Sequence, residues 1–462
     1  MAQHAGAHVA RPAAPRPGQQ RAGPGCGQSL ATSVGQALAR GQPVVAGKTL
    51  GLVGTGAAGD ERGAQPAPPG RCCSRRRVEA AERAATHQRR LLQGRLVGRQ
   101  VGAQAELIDE LGLRADLAAY EPPLQQAALV RGGALSRFDP APRAASAWRG
   151  GLSAALIPRR PRPYEPESFS GDHRLTAGER LAHAGGEGLA AAWAGPLLAW
   201  AWGCRPGDVS AGMLGHLAGL ASRKAWTLRG GIGALPRQLA SRLHVATEVR
   251  VTRIATREGR AGVSFMCDGR QEEREADAVV IAVPGTLVRG LLNAVPAAWA
   301  PLLERVAYAM GLAVYLVLEV GDGLELQPPC RLFAASEGNA LVGLAAIAHS
   351  THRRRLLVQA VPNDAAELFA CREDDIYALV ESTMAAVWPE MAAGRVLARW
   401  LFRWANQAPC WRPGYLEALR AARAHLREGP LYLTGDYLAG PGAGAALADG
   451  WACAEQVLRQ AA

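Results

Sequence analysis

The pattern of hydrophobic and polar positions along the chain predicts a mixture of short strands and helices. Residues 244–256 alternate apolar and polar side chains with a period of two, as a half-buried strand does. Residues 277–284 form instead a continuous apolar run ended by proline, which is typical of a strand buried on both faces. In residues 105–117 the apolar side chains recur at helical spacing. The pattern therefore predicts an α/β protein.

The same patterns recur through the rest of the chain. Glu258 and Gly259 mark a turn after the alternating strand. Further strands are predicted at 44–53, 262–269, 306–320, 340–347, 356–361 and 430–436. Further helices are predicted at 234–243, 364–388 and 445–460, with two or three more within 178–222. Strands and helices are interleaved along most of the chain, so a purely helical or purely β fold is not expected.

The longest apolar run covers residues 188–203 and contains Pro196. A membrane-spanning helix needs about 20 apolar residues, so this run is short for a span. We interpret it as a buried helix and expect no integral membrane segment. Its tryptophans are Trp193, Trp200 and Trp202.

The formal net charge of +12 is concentrated at the N-terminal end. Residues 1–104 hold 15 Lys/Arg and 4 Asp/Glu, a surplus of +11, whereas residues 105–462 hold 37 and 36, a surplus of +1. Residues 1–43 lack hydrophobic periodicity and are predicted to be a disordered tail. Residues 1–104 contain no Phe, Tyr or Trp that could stack on bases. We therefore expect no nucleic-acid partner, and nucleic-acid binding by the basic N-terminus is the weaker alternative.

The nine cysteines are scattered, without C-x-x-C spacing and without a histidine pair at zinc-finger distance. This pattern predicts free cysteines in a reducing cytoplasm and no metal site. Residues 1–42 lack the continuous apolar stretch of a signal peptide. The expected location is therefore cytoplasmic.

A glycine-rich loop matching G-x-G-x-x-G follows the predicted strand 44–53. In dinucleotide-binding folds these glycines permit a tight turn and close approach of the backbone to a pyrophosphate. An acidic residue for a ribose hydroxyl is expected about 20 residues later, and Glu79 is the candidate, with Glu82 behind it. An ordinary glycine-rich turn is the alternative. The candidate pyrophosphate-binding residues are Gly54, Gly56, Ala57, Ala58 and Gly59.

The C-terminal segment carries the second group of candidate binding residues. A predicted strand ends in Gly435 and Asp436, and a helix follows a glycine-rich loop. An aspartate at a strand end can accept a hydrogen bond from a sugar-like hydroxyl, and a helix N-terminus stabilises negative charge. Ala446 and Leu447 lie in the first turn of this helix and complete the candidate set. A simple strand–loop–helix closure with Asp436 as a cap is the alternative.

Five segments in consistent order over roughly residues 105–462 resemble the FAD-dependent flavin amine oxidase superfamily, which includes amine oxidases, protoporphyrinogen oxidase and phytoene-type desaturases. LTGDYLAGPGAGAALADGWACA resembles the last FAD motif of that family. GGIGALPRQLA and VRVTRI are similar to its central segment and to the strand whose backbone contacts adenine, here at Val249. ADAVVIAVP resembles the strand that closes the FAD domain. PLLAWAWGCRPGDVSAGML and FRWANQAPCWRPGYLEAL resemble substrate-domain segments.

The resemblance implies a fold of two domains and a cofactor. The fold is α/β, with a Rossmann-like FAD-binding domain built from discontinuous segments and an α+β substrate domain with a mixed sheet. The cofactor is FAD, and the partner is a small-molecule substrate. After the tail 1–43, the implied FAD-binding segments are 44–104, 223–290 and 412–462, and the implied substrate-domain segments are 105–222 and 291–411.

Two stretches depart from the family pattern. The family has a small-residue helix, a strand ending in Glu and a G-G-R loop after its first glycine motif. Here residues 60–100 are rich in Arg, Pro and Cys instead, and G-G-R is absent. We hypothesise that part of this stretch is read out of frame or has diverged heavily, which would weaken FAD binding. Residues 306–320 also lack the lysine of several amine-oxidising members, which favours a desaturase or dehydrogenase.

The implied function is an FAD-dependent oxidoreductase that removes hydride or hydrogen from an amine-containing or apolar small molecule. The alternative is a catalytically impaired family member that keeps the fold but binds FAD poorly or not at all. No constellation of nucleophile, base and acid stands out, so no catalytic residue is assigned. His216, His244 and His349 are interpreted as structural. Trp400, Trp404 and Trp411 either line the flavin face or pack in the core.

Overall fold

The structure is a computed structural model of the 462-residue chain. Several segments of the chain, including most of residues 1–101, lie outside the part that it describes. The described residues are 8–9, 50–54, 96–97, 102–120, 123–138, 173–185, 190–221, 225–229, 231, 233–243, 245–246, 249–321, 324, 327–334, 338–348 and 355–461. The predicted tail 1–43 therefore falls outside the described residues, apart from positions 8 and 9.

Strands and helices are interleaved along the described chain, as the sequence pattern predicts. The strands are β1 (His8–Val9), β2 (Leu50–Gly54), β3 (Leu96–Val97), β4 (Leu117–Tyr120), β5 (Ala127–Arg131), β6 (Ala134–Arg137), β7 (Ala225–Leu228), β8 (Arg250–Arg257), β9 (Arg260–Cys267), β10 (Arg270–Ala276), β11 (Ala278–Ala282), β12 (Tyr308–Glu319), β13 (Cys330–Phe333), β14 (Leu341–Ala348), β15 (Arg355–Pro362), β16 (Arg395–Pro409), β17 (Arg427–Glu428) and β18 (Leu431–Leu433). The helices are α1 (Gly102–Glu110), α2 (Ala177–Gly185), α3 (Gly195–Trp202), α4 (Met213–Ala221), α5 (Ala234–Ser241), α6 (Gly285–Leu291), α7 (Ala300–Leu303), α8 (Ala365–Leu368), α9 (Glu373–Val387), α10 (Pro389–Ala392), α11 (Tyr415–Ala422), α12 (Asp436–Ala439) and α13 (Ala443–Ala461).

The chain divides into two compact units, each built from separate stretches of sequence. The first unit comprises Met1–Ala119, Trp226–Glu304 and Ala421–Ala462. The second comprises Tyr120–Ala225 and Arg305–Arg420.

A five-stranded sheet in the order β1-β2-β11-β18-β17 lies at the centre of the first unit. The inner strands β2, β11 and β18 are parallel, and β1 and β17 pair antiparallel at the edges. Val279, Val280 and Ile281 of β11 are all buried, as expected for an apolar run in a parallel sheet. Val280 packs with Cys453 and Val457 of α13, so that helix covers one face of the sheet.

An antiparallel meander, β8-β9-β10, also belongs to the first unit. Its turns place Glu258 and Gly259, and then Asp268 and Gly269, at positive φ, the geometry of two-residue hairpin turns that follow strand twist. The first turn lies where the sequence predicts it. The third strand has the sequence RQEEREA and does not show an apolar pattern, so it is absent from the sequence prediction.

The second unit is built on a seven-stranded mixed sheet in the order β16-β12-β15-β14-β13-β5-β6. β13 and β5 run parallel, and the other neighbouring pairs run antiparallel. Ile376, Val380 and Met384 of α9 pack against buried residues of the central strands, including Leu316 and Val358. The apolar spacing of α9 therefore builds the core of this unit.

The apolar run 188–203 forms a π-helical turn, Ala190–Ala194, followed by α3. Trp193 and Trp202 are buried, as predicted for this segment, and Trp200 is half-buried. Helix α3 has Pro196 at its start and ends at Gly203 in the left-handed conformation. Within the described chain, no helix is both long and apolar enough to cross a membrane.

Several predicted boundaries need correction. The predicted helix 364–388 is two helices, α8 and α9, separated at residues 369–372. The predicted strand 430–436 is only Leu431–Leu433, because the chain turns at Gly435 and α12 begins directly after it. Strand β2 starts at Leu50, and residues 44–49 of that predicted strand lie outside the described residues. The longest strand, β16, has no counterpart among the predicted elements.

Candidate functional site

The carboxyl ends of the three parallel strands in the first unit lie at one edge of its sheet. Gly54 at the end of β2 is paired with Ala282 of β11. Ile281 is paired with Leu433 of β18, and the Thr434 N–H donates to the Ile281 carbonyl at 3.1 Å. In open α/β sheets, ligands bind in the crevice outside this edge. The structure therefore brings Gly54 and the Gly435–Asp436 turn, two separate candidate segments, to the same edge.

The turn after β18 requires glycine at position 435. Gly435 has φ +154°, and a Cβ atom there would lie 2.6 Å from Cε1 of Tyr437. The Tyr437 ring is fully buried, and protein interiors are close-packed, so a shift of the ring would be costly. The glycine therefore lets the chain turn sharply into α12, whose first residue is the buried Asp436.

A buried ion pair between Arg427 and Asp449 holds this turn. Neither residue is among the candidates predicted from the sequence. Asp449 of α13 contacts Nη2 of Arg427 through Oδ1 at 2.6 Å. Its other carboxylate oxygen accepts hydrogen bonds from Thr434 Oγ1 at 2.8 Å and from the Gly435 N–H at 3.1 Å. The Asp449 side chain is 3% exposed and the Arg427 side chain 16% exposed. One carboxylate thus connects the end of β18, the turn and α13.

The hydroxyl and thiol groups around this ion pair are held in their neutral forms. Burial raises the pKa of Tyr437 well above its ordinary value, and the Asp449 and Asp436 carboxylates raise it further. Burial raises the pKa of the Cys453 thiol to about 12, although Arg427 acts in the opposite direction. The charge near the turn therefore comes from the carboxylates and the arginine.

The first turn of α13 positions Ala446 and Leu447. The Ala446 N–H donates to the Gly442 carbonyl at 3.2 Å, so that donor is used within the helix start. The Leu447 side chain packs against a cluster that contains Leu107 and Ile108 of α1. Both residues lie near the helix N-terminus, where the helix dipole is positive.

The remaining candidates of the first unit either lie beside its antiparallel meander or fall outside the described residues. Val249 directly precedes β8 of the antiparallel meander and is half-buried. The predicted strand 244–256 therefore begins later than expected, at Arg250, and Val249 lies just outside it. The candidates outside the described residues are Gly56, Ala57, Ala58, Gly59 and Glu79.

A row of aromatic side chains lies on one face of the sheet of the second unit. Tyr315 of β12 is paired with Trp400 of β16, and its ring meets Phe402 edge to face at 5.7 Å between centroids. Phe402 stacks on Trp404 at 5.6 Å. We call these four residues the aromatic face. The three residues of β16 are half-buried, so part of their surface is open to a ligand.

The other aromatic and histidine residues considered in the sequence are either buried in the core or outside the described residues. Trp411 is fully buried and stacks on Tyr415, so it packs in the core. His216 is buried and stacks on Trp202 at 5.6 Å, in keeping with a structural role. His244 and His349 lie outside the described residues. Within the described ranges, no cluster of three or more His, Cys, Asp or Glu side chains could hold a metal ion.

The described elements define a mixed α/β protein with mixed sheets. The sequence model of the family "flavin containing amine oxidoreductase" matches residues 104–458. The chain belongs to this family, and its membership supports FAD-dependent oxidoreduction with a flavin as the cofactor. No curated protein sequence matches the chain.

Solved structures share the fold. Cyclohexylamine oxidase from Brevibacterium oxydans IH-35A is 17% identical, with a TM-score of 0.60 over 80% of this chain and 87% of that protein. A putrescine oxidase bound to putrescine is also 17% identical, with a TM-score of 0.57 over 80% of this chain and 88% of that one. The predicted α/β class with a mixed sheet is thereby confirmed.

Proposed function

We propose that this protein is an FAD-dependent oxidoreductase that removes a hydride or a hydrogen pair from an amine-containing or apolar small molecule. The observation that carries the proposal is the strand edge, where Gly54 ends β2 and Gly435 and Asp436 follow β18, on either side of the central strand β11. A nucleotide cofactor needs glycine backbone after the first parallel strand, where Gly54 ends β2, and polar groups at the neighbouring strand ends, where Asp436 lies. The residues present therefore fit a flavin nucleotide.

We assign the FAD-binding domain to a Rossmann-like arrangement of three chain segments, 44–104, 223–290 and 412–462. In this proposal Asp436 accepts a hydrogen bond from the ribityl chain or orders water at the pyrophosphate, and Glu79 accepts one from the ribose. Val249 contacts the adenine through its backbone. The glycine loop, comprising Gly54, Gly56, Ala57, Ala58 and Gly59, lies beside the pyrophosphate, and Ala446 and Leu447 bring the positive end of α13 to the flavin.

FAD supplies the redox chemistry, because its oxidised ring accepts the hydride. The protein binds the substrate, orients it and keeps water away from it. The aromatic face suits an amine-containing substrate, since aromatic rings attract a cationic ammonium group and also bind the apolar portion of the substrate.

In this proposal the substrate domain comprises residues 105–222 and 291–411. A cytoplasmic location stays a prediction that rests on the cysteine pattern.

The test is anaerobic mixing of the purified protein with a panel of primary amines, polyamines and apolar substrates. Reduction of a bound flavin bleaches its visible absorbance, so bleaching by any member identifies the substrate class. Bleaching by amines supports the proposal in its amine form. Bleaching by an apolar compound that can lose a hydrogen pair to form a new double bond supports the dehydrogenase form. A folded protein that binds FAD poorly or not at all supports the impaired family member instead.

Replacing Trp404 by alanine should weaken binding of an amine substrate. Loss of the ring removes a cation–π contact worth about 1 kcal/mol, which corresponds to roughly a fivefold rise in KM. Steady-state kinetics on the amine identified by bleaching would measure this rise. Trp226→Ala is the matched control, since Trp226 is an exposed tryptophan of the first unit. Equal KM values for the two variants would show that the aromatic face is not part of the substrate site.

A further inference from the structure

Two buried cysteines of the second unit contact each other, although 206 positions separate them in the sequence. Cys204 follows the left-handed Gly203 at the end of α3, and Cys410 directly follows β16. Their sulfur atoms are 2.9 Å apart, and the side chains are 1% and 5% exposed. Like the other described cysteines, such as Cys330 and Cys453, neither residue is in a disulfide.

We propose that Cys204 and Cys410 form a redox site, which a two-electron oxidant such as hydrogen peroxide converts into a disulfide joining the end of α3 to the end of β16. A disulfide has a sulfur–sulfur bond of about 2.05 Å, so closure needs an approach of only roughly 0.9 Å. Two cysteines that served only as small apolar side chains would not need this sulfur contact. This inference does not depend on the proposed function.

Either sulfur can donate the hydrogen bond that joins the pair, so the surroundings of the two thiols decide their roles. The hydrogen bond from Cys204 lowers the pKa of the Cys410 thiol, although burial and Asp208 oppose this effect. The same hydrogen bond raises the pKa of Cys204 well above its ordinary value. Arg412 favours the thiolate at both positions. Cys410 is also the less buried of the two, 5% against 1% exposed, so we assign it as the attacking thiolate and Cys204 as the resolving thiol.

The reaction balances in two steps. The Cys410 thiolate attacks one oxygen of the peroxide, the oxygen–oxygen bond breaks, and the departing hydroxide takes up a proton to become water. This step leaves a sulfenic acid on Cys410. Cys204 then loses its proton and attacks the Cys410 sulfur, the sulfur–oxygen bond breaks, and the hydroxyl leaves as a second water. Two thiols are oxidised by two electrons in total, and added dithiothreitol reverses the change by thiol–disulfide exchange.

The test is peptide mapping of the full-length protein after a pulse of hydrogen peroxide. Free thiols are blocked under denaturing conditions, disulfides are reduced, and the newly exposed thiols receive a second label. We expect the second label on Cys204 and Cys410, appearing roughly tenfold faster than any oxidation of the buried Cys330. Equal labelling of all three, or pairing of either residue with another cysteine, would overturn the proposal.

Variants assign the order of attack. In Cys204→Ser, a sulfenic-acid reagent should trap Cys410 after the pulse, because no resolving thiol remains. In Cys410→Ser, the same reagent should leave Cys204 unmodified. Cys330→Ser is the matched control and should form the disulfide as the unmodified protein does. Trapping at Cys204 rather than Cys410 would contradict the assigned roles, and the mapping of the unmodified protein decides the main proposal even if a variant fails to fold.

Discussion

Asp449→Ala should lower the free energy of unfolding by about 3–5 kcal/mol, because it leaves the buried Arg427 guanidinium without its charged partner. The same change removes the acceptor of the Thr434 hydroxyl and of the Gly435 N–H. Each unsatisfied buried donor adds to the cost. Urea unfolding followed by circular dichroism measures the change in the unfolding free energy. The loss should affect the first unit, in which all four residues lie.

Two control variants separate a buried pair from a surface pair. The double variant Arg427→Met with Asp449→Leu removes both charges, so it should cost much less than Asp449→Ala alone. Arg395→Ala breaks a contact with Glu319 between side chains that are 73% and 39% exposed. Such a surface pair is worth about 1 kcal/mol or less. If Asp449→Ala were no more destabilising than Arg395→Ala, the ion pair would not hold the turn.

Gly435→Ala should lower the free energy of unfolding by at least about 2 kcal/mol, since it combines backbone strain with a steric overlap. The backbone at φ +154° disfavours any Cβ, and the new methyl group would lie 2.6 Å from the buried Tyr437 ring. The turn borders the proposed cofactor edge, so the flavin content of the purified variant should fall as well.

Gly442→Ala is the matched control for this substitution. Gly442 also has a positive φ, +120°, but a Cβ there would meet no heavy atom within 4 Å. It therefore reports the backbone contribution alone. We expect Gly435→Ala to be clearly more destabilising than Gly442→Ala in the same urea titration. Equal losses would show that the Tyr437 contact imposes no constraint on the turn.

The sequence predicts all three strands of the parallel core because they are short apolar runs, although their bounds are predicted less well. Residues 277–284 contain β11, which is shorter by one residue at its start and by two at its end. Edge strands are harder to predict, because they carry charged side chains at exposed positions. Such strands lack the alternation of apolar and polar residues by which a strand is recognised. The sequence of β10 is one such case. Strand β16 carries arginines on one side and aromatic rings on the other, so neither face shows a simple apolar pattern.

The candidate site divides in the same way. Gly435 and Asp436 could be found because a glycine-rich loop after a strand is a local signal. The pairing of Asp449 with Arg427 is not predictable from local sequence, because the two residues are 22 positions apart. An aspartate between apolar residues of a helix nevertheless indicates a buried carboxylate that needs a partner. The contact between Cys204 and Cys410 depends on how α3 and β16 pack together, which no local pattern encodes.

The most direct test of the central claim is the visible absorption spectrum of the full-length protein after removal of free flavin by gel filtration. We predict a yellow protein from which denaturation releases one FAD per chain. The departure of residues 60–100 from the family pattern makes this measurement decisive, because that stretch follows the glycine loop. A folded, colourless protein that takes up no FAD from solution would contradict the account.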